Sequence, residues 1–228
     1  MRPYVLINMA MTADGKIASA NRQVGPLGSL RDRANMLRLR STVDAVLCGA
    51  RTVEAGPIKL GTGPAQYRRL RLRHGLAECH LRIVASGSGS VNPDAEVFRH
   101  HFSPIIVLTT DRISTRRKRG LEAVADEVKI CGETAIDFQL ALSWLRSKWR
   151  VKRLLCEGGG ELNGALFAAD LVDELHLTIC PHILGGRRAP TIADGPGIPS
   201  LAQAIPLEMQ TLNRAGRELF LVYRRARR

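Results

Sequence analysis

Four short segments carry residue types able to hold a phosphorylated ligand. The most informative is Leu154-Leu155-Cys156-Glu157-Gly158-Gly159-Gly160-Glu161-Leu162-Asn163-Gly164. An apolar strand pattern there runs into three glycines, and a helix pattern begins. Glycine lets backbone N–H groups approach a phosphate closely, and a helix N-terminus adds the positive end of its dipole. Gly158, Gly159 and Gly160 therefore read as a pyrophosphate cradle, although a tight strand-to-helix connection calls for the same glycines. Gly158, Gly160 and Gly164 are spaced one residue too widely for the dinucleotide fingerprint, and the Gly-Lys-Ser/Thr ending of a P-loop is missing. Leu47-Cys48-Gly49-Ala50-Arg51-Thr52-Val53 repeats the logic: a strand pattern stops at Gly49, and Thr52 reads as the cap of a following helix. A third apolar strand closes on Thr109-Thr110. Open α/β sheets bind ligands at such carboxyl edges, though each ending taken alone is also ordinary turn chemistry. The fourth segment, Met11-Thr12-Ala13-Asp14-Gly15-Lys16-Ile17-Ala18, offers a hydroxyl, a carboxylate and an ammonium within five residues. Lys16 can hold a phosphate or a ribose hydroxyl; by itself the segment reads as a turn with a solvated lysine.

The elements that must position these residues alternate. Strand patterns cover Tyr4 to Met9, Ala45 to Cys48, Leu81 to Ala85, Ile105 to Leu108, part of Val124 to Cys131, Arg153 to Cys156 and Glu174 to Cys180. Helix patterns cover Leu30 to Arg40, Ala135 to Lys148 and Leu162 to Ala169. The first is introduced by Ser29 as N-cap, with Asp32 as a capping acid three residues on. Ala34, Leu37 and Met36 should face inward, as should Phe138, Leu142 and Leu145. Residues Gly56 to Gly75, rich in Gly, Pro and Arg, read as a loop or lid with a short helix, and Ser86 to Ser90 as a flexible turn. Leu207 to Leu212 and Glu218 to Arg224 form a hairpin pattern around Arg214-Ala215-Gly216-Arg217. Strand and helix in alternation, closed by an antiparallel pair, give a mixed α/β sheet covered by helices. No repeat and no linker divides the chain, so a single domain over residues 1–228 is expected.

Bulk properties narrow the chemistry. Of 228 residues 45% are hydrophobic but only 4% aromatic, so the core is aliphatic and a base-stacking surface is disfavoured. Net charge is +13, from 34 basic and 21 acidic residues, which favours anionic partners. Its runs, Arg68-Arg69 with Arg71 and Arg73, Arg116 to Arg119, and Arg224, Arg225, Arg227 and Arg228, read as solvated loops and tails. Cys48, Cys79, Cys131, Cys156 and Cys180 form no C-x-x-C pair. Four of them lie in apolar strand patterns, which suits reduced thiols in a cytoplasmic protein. No histidine spacing suggests a metal site. No apolar run reaches membrane-spanning length and no signal peptide is seen.

Taken together, the segments resemble the riboflavin-biosynthesis pyrimidine reductases, the reductase half of the bifunctional deaminase-reductase and its free-standing relatives. The likeness runs from Met9–Ala18 through Arg38-Leu39-Arg40 and Val43–Val53. It is strongest at Glu157–Leu166 and Leu171–Leu175, and continues to Pro181–Gly186. It implies a dihydrofolate-reductase-like fold, with a mostly parallel central sheet flanked by helices and a C-terminal hairpin. It also implies NADPH as hydride donor, a homodimer, and a 5-phosphoribosylamino-pyrimidine reduced at the sugar to a ribitylamino product. On this resemblance Gly158, Gly159, Gly160, Gly49, Ala50 and Thr52 line the cofactor phosphates. Ser86 and Thr110 lie at its adenosine end. Thr12, Asp14, Lys16, Ser29 and Glu157 fall on the substrate or nicotinamide side, with Lys16 and Glu157 as the catalytic candidates. No residue stands out as a general acid, so water or the substrate itself is left to supply the proton. Two departures weigh on the substrate. The family's Ala-Asp-Asp-Pro run is replaced by Glu54-Ala55-Gly56-Pro57, and an Asp-Ser pair by Ser86-Gly87. The zinc signature of the deaminase half does not occur. Reduction of a dihydropteridine or another heterocycle on the same fold is the competing enzyme reading. A non-catalytic, basic nucleic-acid-binding domain is the competing reading from another class, disfavoured by the scarcity of rings.

Overall fold

The computed structural model describes residues 1–228 except Val24, Pro26, Arg227 and Arg228; the last two belong to the basic tail singled out above and so lie outside the described residues. In chain order the elements begin with β1 (Tyr4–Thr12), α1 (Leu30–Arg40), β2 (Ala45–Gly49), α2 (Ala50–Glu54), α3 (Ala65–Arg73) and β3 (Leu81–Ala85). Then come β4 (Ile105–Thr109), α4 (Thr115–Glu122), β5 (Glu127–Ile130), α5 (Phe138–Lys148), β6 (Arg153–Cys156) and α6 (Gly160–Ala168). The chain ends with β7 (Glu174–Cys180), β8 (Leu207–Ala215) and β9 (Glu218–Arg225).

The chain divides into two compact units, one of Met1–Pro3 and Leu37–Leu155, the other of Tyr4–Met36 and Cys156–Arg228. In the first unit the strands run in the order β5-β4-β3-β2-β6, and the pairs β2–β3, β3–β4 and β4–β5 are parallel. Unbroken apolar strands suit a parallel sheet buried on both faces. Val46, Leu47, Ile83, Val84, Ile106, Val107 and Leu108 are accordingly inaccessible, as are Leu142 and Leu145 of α5. Asp137 caps α5 by accepting a hydrogen bond from the Leu140 amide at 2.9 Å.

The basic runs of this unit are not all solvated. Arg71 is 1% exposed; its guanidinium donates to the carbonyls of Arg40 and Val43 at 2.6 Å and of Ala77 at 2.8 Å. Arg82 is fully buried, donates to the carbonyls of Val97, His100 and Ser103, and stacks over the Phe102 ring. A buried guanidinium has five donors to satisfy, and here three backbone carbonyls take bonds from Arg71, and three carbonyls and the Ser103 hydroxyl take bonds from Arg82. Burial lowers both pKa values, that of Arg82 to about 10. The Arg116–Arg119 run lies on α4, whose N-cap Ser114 accepts from the Arg117 amide. His80, also buried, has Nε2 at 2.8 Å from the Leu60 carbonyl, while its Nδ1 has no partner. Burial, together with Arg40, Arg71 and Arg82, holds its pKa well below the usual imidazole range.

In the second unit the order is β1-β7-β9-β8. β1 and β7 are parallel, with Thr12 opposite Cys180, whereas β9 runs antiparallel to both β7 and β8. The hairpin is therefore present, longer than its sequence pattern and bulged between Met209 and Thr211. β1 extends to Thr12, three residues beyond its apolar pattern, because pairing with β7 continues to that point. Ser29 caps α1, its hydroxyl oxygen accepting from the Arg31 amide at 3.2 Å. Asp32 does not complete that cap. The buried carboxylate of Glu218 does, accepting from the Ser29 amide at 2.7 Å and the Ser29 hydroxyl at 2.6 Å. Asp32 instead bonds the Thr178 side chain, and burial raises its pKa.

Candidate functional site

The second unit resumes at Cys156, the last residue of β6, and the chain turns into α6 through Glu157, Gly158 and Gly159. Gly158 and Gly159 have φ of +87° and +82°, a region that side chains rarely adopt. Gly159 is the N-cap of α6, with no side-chain cap. The run is packed from below by β1, since a Cβ on Gly158 would stand 2.5 Å from the Met9 sulfur. It is packed from the side by residues 191–194: a Cβ on Gly160 would overlap the Asp194 carboxylate and crowd the Thr191 carbonyl, and one on Gly164 would overlap the Asp194 carbonyl. Asp194 donates its amide to the Gly160 carbonyl at 2.8 Å, and its carboxylate accepts from the Thr191 amide and hydroxyl at 3.0 and 2.7 Å. Asn163, fully buried, donates to the Ile192 carbonyl at 2.8 Å and accepts from the Cys156 thiol. Burial drives that thiol's pKa up to about 12, so it stays protonated. The glycines thus give a tight strand-to-helix turn packed against Met9 and residues 191–194, a shape any side chain at Gly158, Gly160 or Gly164 would spoil.

The same strap braces the Lys16 turn. Lys16 pairs with Thr191 in an isolated bridge, and its Nζ donates to the Ala189 carbonyl at 3.3 Å. The Ile17 amide donates to the Pro190 carbonyl at 3.0 Å. Thr12 is buried; its hydroxyl donates to the Asp14 carboxylate at 2.5 Å and its oxygen accepts from the Lys16 amide. Asp14 also accepts from the amides of Gly185 and Leu184 at 2.7 and 3.2 Å. The Thr12 hydroxyl first, and then those amides, hold its pKa down to about 2. Thr12 and Asp14 therefore shape the turn, and Lys16, half-buried, is the group that the turn presents. Ser29 is held by Glu218 as described, and Glu157 stands half-buried at the mouth of the glycine run.

In the first unit, the candidates lie at the carboxyl ends of adjacent parallel strands. Gly49 ends β2 opposite Ala85 of β3, and Ala50 opens α2. Thr52 is the third residue of α2 rather than its cap, which is Gly49. Ser86 and Thr110 are buried, and their hydroxyls are committed to the loop itself. The Ser86 oxygen accepts from the Val91 amide at 3.2 Å, and Thr110 donates to the Gly87 carbonyl at 2.6 Å. Among the described residues no group of three His, Cys, Asp or Glu could hold a metal ion. No helix there is long and apolar enough to cross a membrane.

Residues 3–219 match the model of the RibD C-terminal domain. The chain belongs to the RibD C-terminal domain family. The 2,5-diamino-6-ribosylamino-4(3H)-pyrimidinone 5′-phosphate reductase of Methanothermobacter thermautotrophicus is 32% identical over 227 residues, 98% of both chains. The protein of that name from Archaeoglobus fulgidus is 34% identical over 196 residues, 86% of this chain and 88% of its own. A pyrimidine reductase-like protein from Corynebacterium diphtheriae superposes with a TM-score of 0.79 at 22% identity, covering 99% of this chain and 93% of its own. The dihydrofolate-reductase-like fold expected from the sequence is thus the fold of this RibD C-terminal domain. The residues the sequence reading missed are Asp194, Thr191, Asn163 and Glu218. Only Asn163, inside the glycine segment, left a local signal; the others act through contacts distant along the chain.

Proposed function

We propose that the chain reduces a 5′-phosphorylated ribosylamino-pyrimidine to its ribitylamino product, with NADPH as hydride donor, in riboflavin biosynthesis. The observation that carries the reading is end-to-end similarity, at 32% identity over 98% of both chains, to a protein named as that reductase. What supports a dinucleotide at the glycine run is its place at the start of α6, where Gly159 is an N-cap without a side-chain cap and Gly158 and Gly159 have positive φ. In this reading the Gly158–Gly160 run offers backbone amides to a cofactor phosphate, and Gly49, Ala50 and Thr52 are proposed, from the resemblance, as further cofactor-binding residues. Ser86 and Thr110 set the loop that receives the adenosine end. NADPH, when bound, would supply the hydride for reduction at the sugar C1′. The chain's own part is positioning, which can supply most of a rate enhancement. Lys16 anchors a phosphate or hydroxyl of the substrate, Glu157 orients a ribose hydroxyl or the nicotinamide side, and Thr12, Asp14 and Ser29 fix the walls.

We take residues 1–228 as one reductase domain, since the family match runs through both units. A homodimer is part of the proposal. β8 is an edge strand with seven exposed residues in a row, Met209 58% and Leu212 55% exposed among them, and such an edge is ordinarily paired or covered. A cytoplasmic location suits five free cysteines, four of them buried. The test is NADPH oxidation with the ribosylamino-pyrimidine phosphate and, separately, with a dihydropteridine. Turnover of the first alone is expected. Turnover of the second alone would give the competing heterocycle reading. No NADPH binding, together with steeply salt-dependent binding to nucleic acid, would replace both.

A further inference from the structure

Within the second unit, residues 189–194 form a strap that touches both the start of α6 and the Lys16 turn. Towards α6 it is held at three places. The Asp194 amide donates to the Gly160 carbonyl at 2.8 Å, the Asn163 side chain donates to the Ile192 carbonyl at 2.8 Å, and the Asp194 carbonyl packs where a Cβ on Gly164 would stand. Towards the Lys16 turn it offers two carbonyls. Pro190 accepts from the Ile17 amide at 3.0 Å, and Ala189 accepts from Lys16 Nζ at 3.3 Å. Thr191, next along the strap, pairs with Lys16 in an antiparallel bridge.

One side chain joins the two sets of contacts. Asp194 Oδ1 accepts from the Thr191 amide at 3.0 Å and from the Thr191 hydroxyl at 2.7 Å, closing residues 191–194 into a turn. Aspartate braces turns in this way, and a carboxylate acceptor makes the bonds charge-assisted, the stronger kind. The link therefore runs from α6 to Asp194, from Asp194 to Thr191, and from Thr191 to Lys16. Lys16 needs such a guide. A lysine ammonium sits on a flexible four-carbon stem, and here, among the described residues, it forms no ion pair and takes its direction from the Ala189 carbonyl. The Asp194 connection to Gly160 is made by its backbone amide, which a change of side chain leaves in place. Removing the carboxylate thus loosens the strap on the Lys16 side and spares its seat on α6.

We propose that Asp194 is a positioning residue: through Thr191 it fixes the Ala189 and Pro190 carbonyls that aim Lys16 at the substrate. The inference rests on the reading of Lys16 as the substrate anchor of a reductase. The experiment compares the unaltered protein with Asp194→Ala and Asp194→Asn by hydrogen exchange at the Ile17 amide, NADPH titration and steady-state kinetics with the ribosylamino-pyrimidine phosphate. Melting temperatures check that the variants fold. In Asp194→Ala the Ile17 amide should lose protection by about tenfold, kcat/KM should fall by about tenfold, and NADPH affinity should hold. Asp194→Asn keeps a carbonyl oxygen for the Thr191 amide and should recover most of both losses. Action through Lys16 also requires non-additivity: in a Lys16→Ala background, Asp194→Ala should lower kcat/KM by less than about twofold further. Should Asp194→Ala not fold, Thr191→Val takes its place; it removes only the hydroxyl donor and should lose about threefold in exchange protection and in kcat/KM. Unchanged exchange at Ile17, or equal fold losses with and without Lys16, would overturn the proposal and leave the reductase reading standing. If the unaltered protein does not turn over the substrate, the reductase reading fails and the positioning role fails with it.

Discussion

Replacing Gly159 with alanine tests whether the glycine run grips a dinucleotide. Gly159 sits at φ +82° and ψ 139° as the N-cap of α6. An L-residue held in such a sparsely populated region costs about 1–3 kcal/mol. The free variant relieves that strain by rotating the backbone, which turns the amides of the run away from the phosphate. Binding must then restore the strained geometry. At 1.4 kcal/mol per tenfold, the dissociation constant for NADPH should rise by roughly 5- to 150-fold. Gly216 is the control. It has φ +65° at the β8–β9 turn, with open space where a Cβ would stand. Gly216→Ala should therefore lose comparable stability without touching the run. Fluorescence titration of both folded variants with NADPH reads the difference. Equal affinity in Gly159→Ala, Gly216→Ala and the unaltered protein would refute the cradle.

Other expectations follow from single contacts. Lys16→Ala should reduce substrate use at least tenfold while NADPH affinity stays nearly intact, as steady-state kinetics and titration would show; an unchanged rate removes Lys16 from the site. Glu218→Ala deprives the Ser29 amide and hydroxyl of a buried acceptor and should cost about 1–3 kcal/mol. An unshifted urea midpoint would contradict that cap. His80 is held neutral in the fold while the unfolded chain protonates near pH 6.5. Its stabilising contribution is thus complete above that pH and declines as pH falls below it. Glu174 behaves at lower pH: bonded first by His176 and then by Tyr4, its pKa sits near 2, so its contribution holds above the usual carboxylate range and is lost as pH falls towards 2. Urea unfolding from neutral pH downwards should show both declines, and a flat profile would contradict them.

Much of this was legible in the sequence because the cues are local. Leu30–Arg40, Leu81–Ala85, Arg153–Cys156 and Glu174–Cys180 have the extents their apolar patterns give, bounded by serine, glycine or turn residues. The glycine run was legible because positive φ has few other solutions. Long-range contacts were not. Arg71 sits in a basic run that reads as solvated, until backbone carbonyls gather around it. Ser29 looks capped by Asp32, three residues away, but a carboxylate 189 positions along the chain takes that place. Four consecutive basic residues, read as a solvated run, concealed α4, which Ser114 caps. Asp194 gave no warning, since its role depends on packing against two glycines of α6. Ser86 and Thr110 were legible as strand endings, but their hydroxyls are turned into the loop rather than presented.

The most direct test follows deuterium. With NADPH carrying deuterium at the reactive nicotinamide carbon and the ribosylamino-pyrimidine phosphate as substrate, mass spectrometry of the product reads the transfer. One deuterium at C1′ of the ribityl chain is the result expected of a hydride delivered there by the bound dinucleotide. Product without label, or NADPH left unconsumed beside intact substrate, would contradict it.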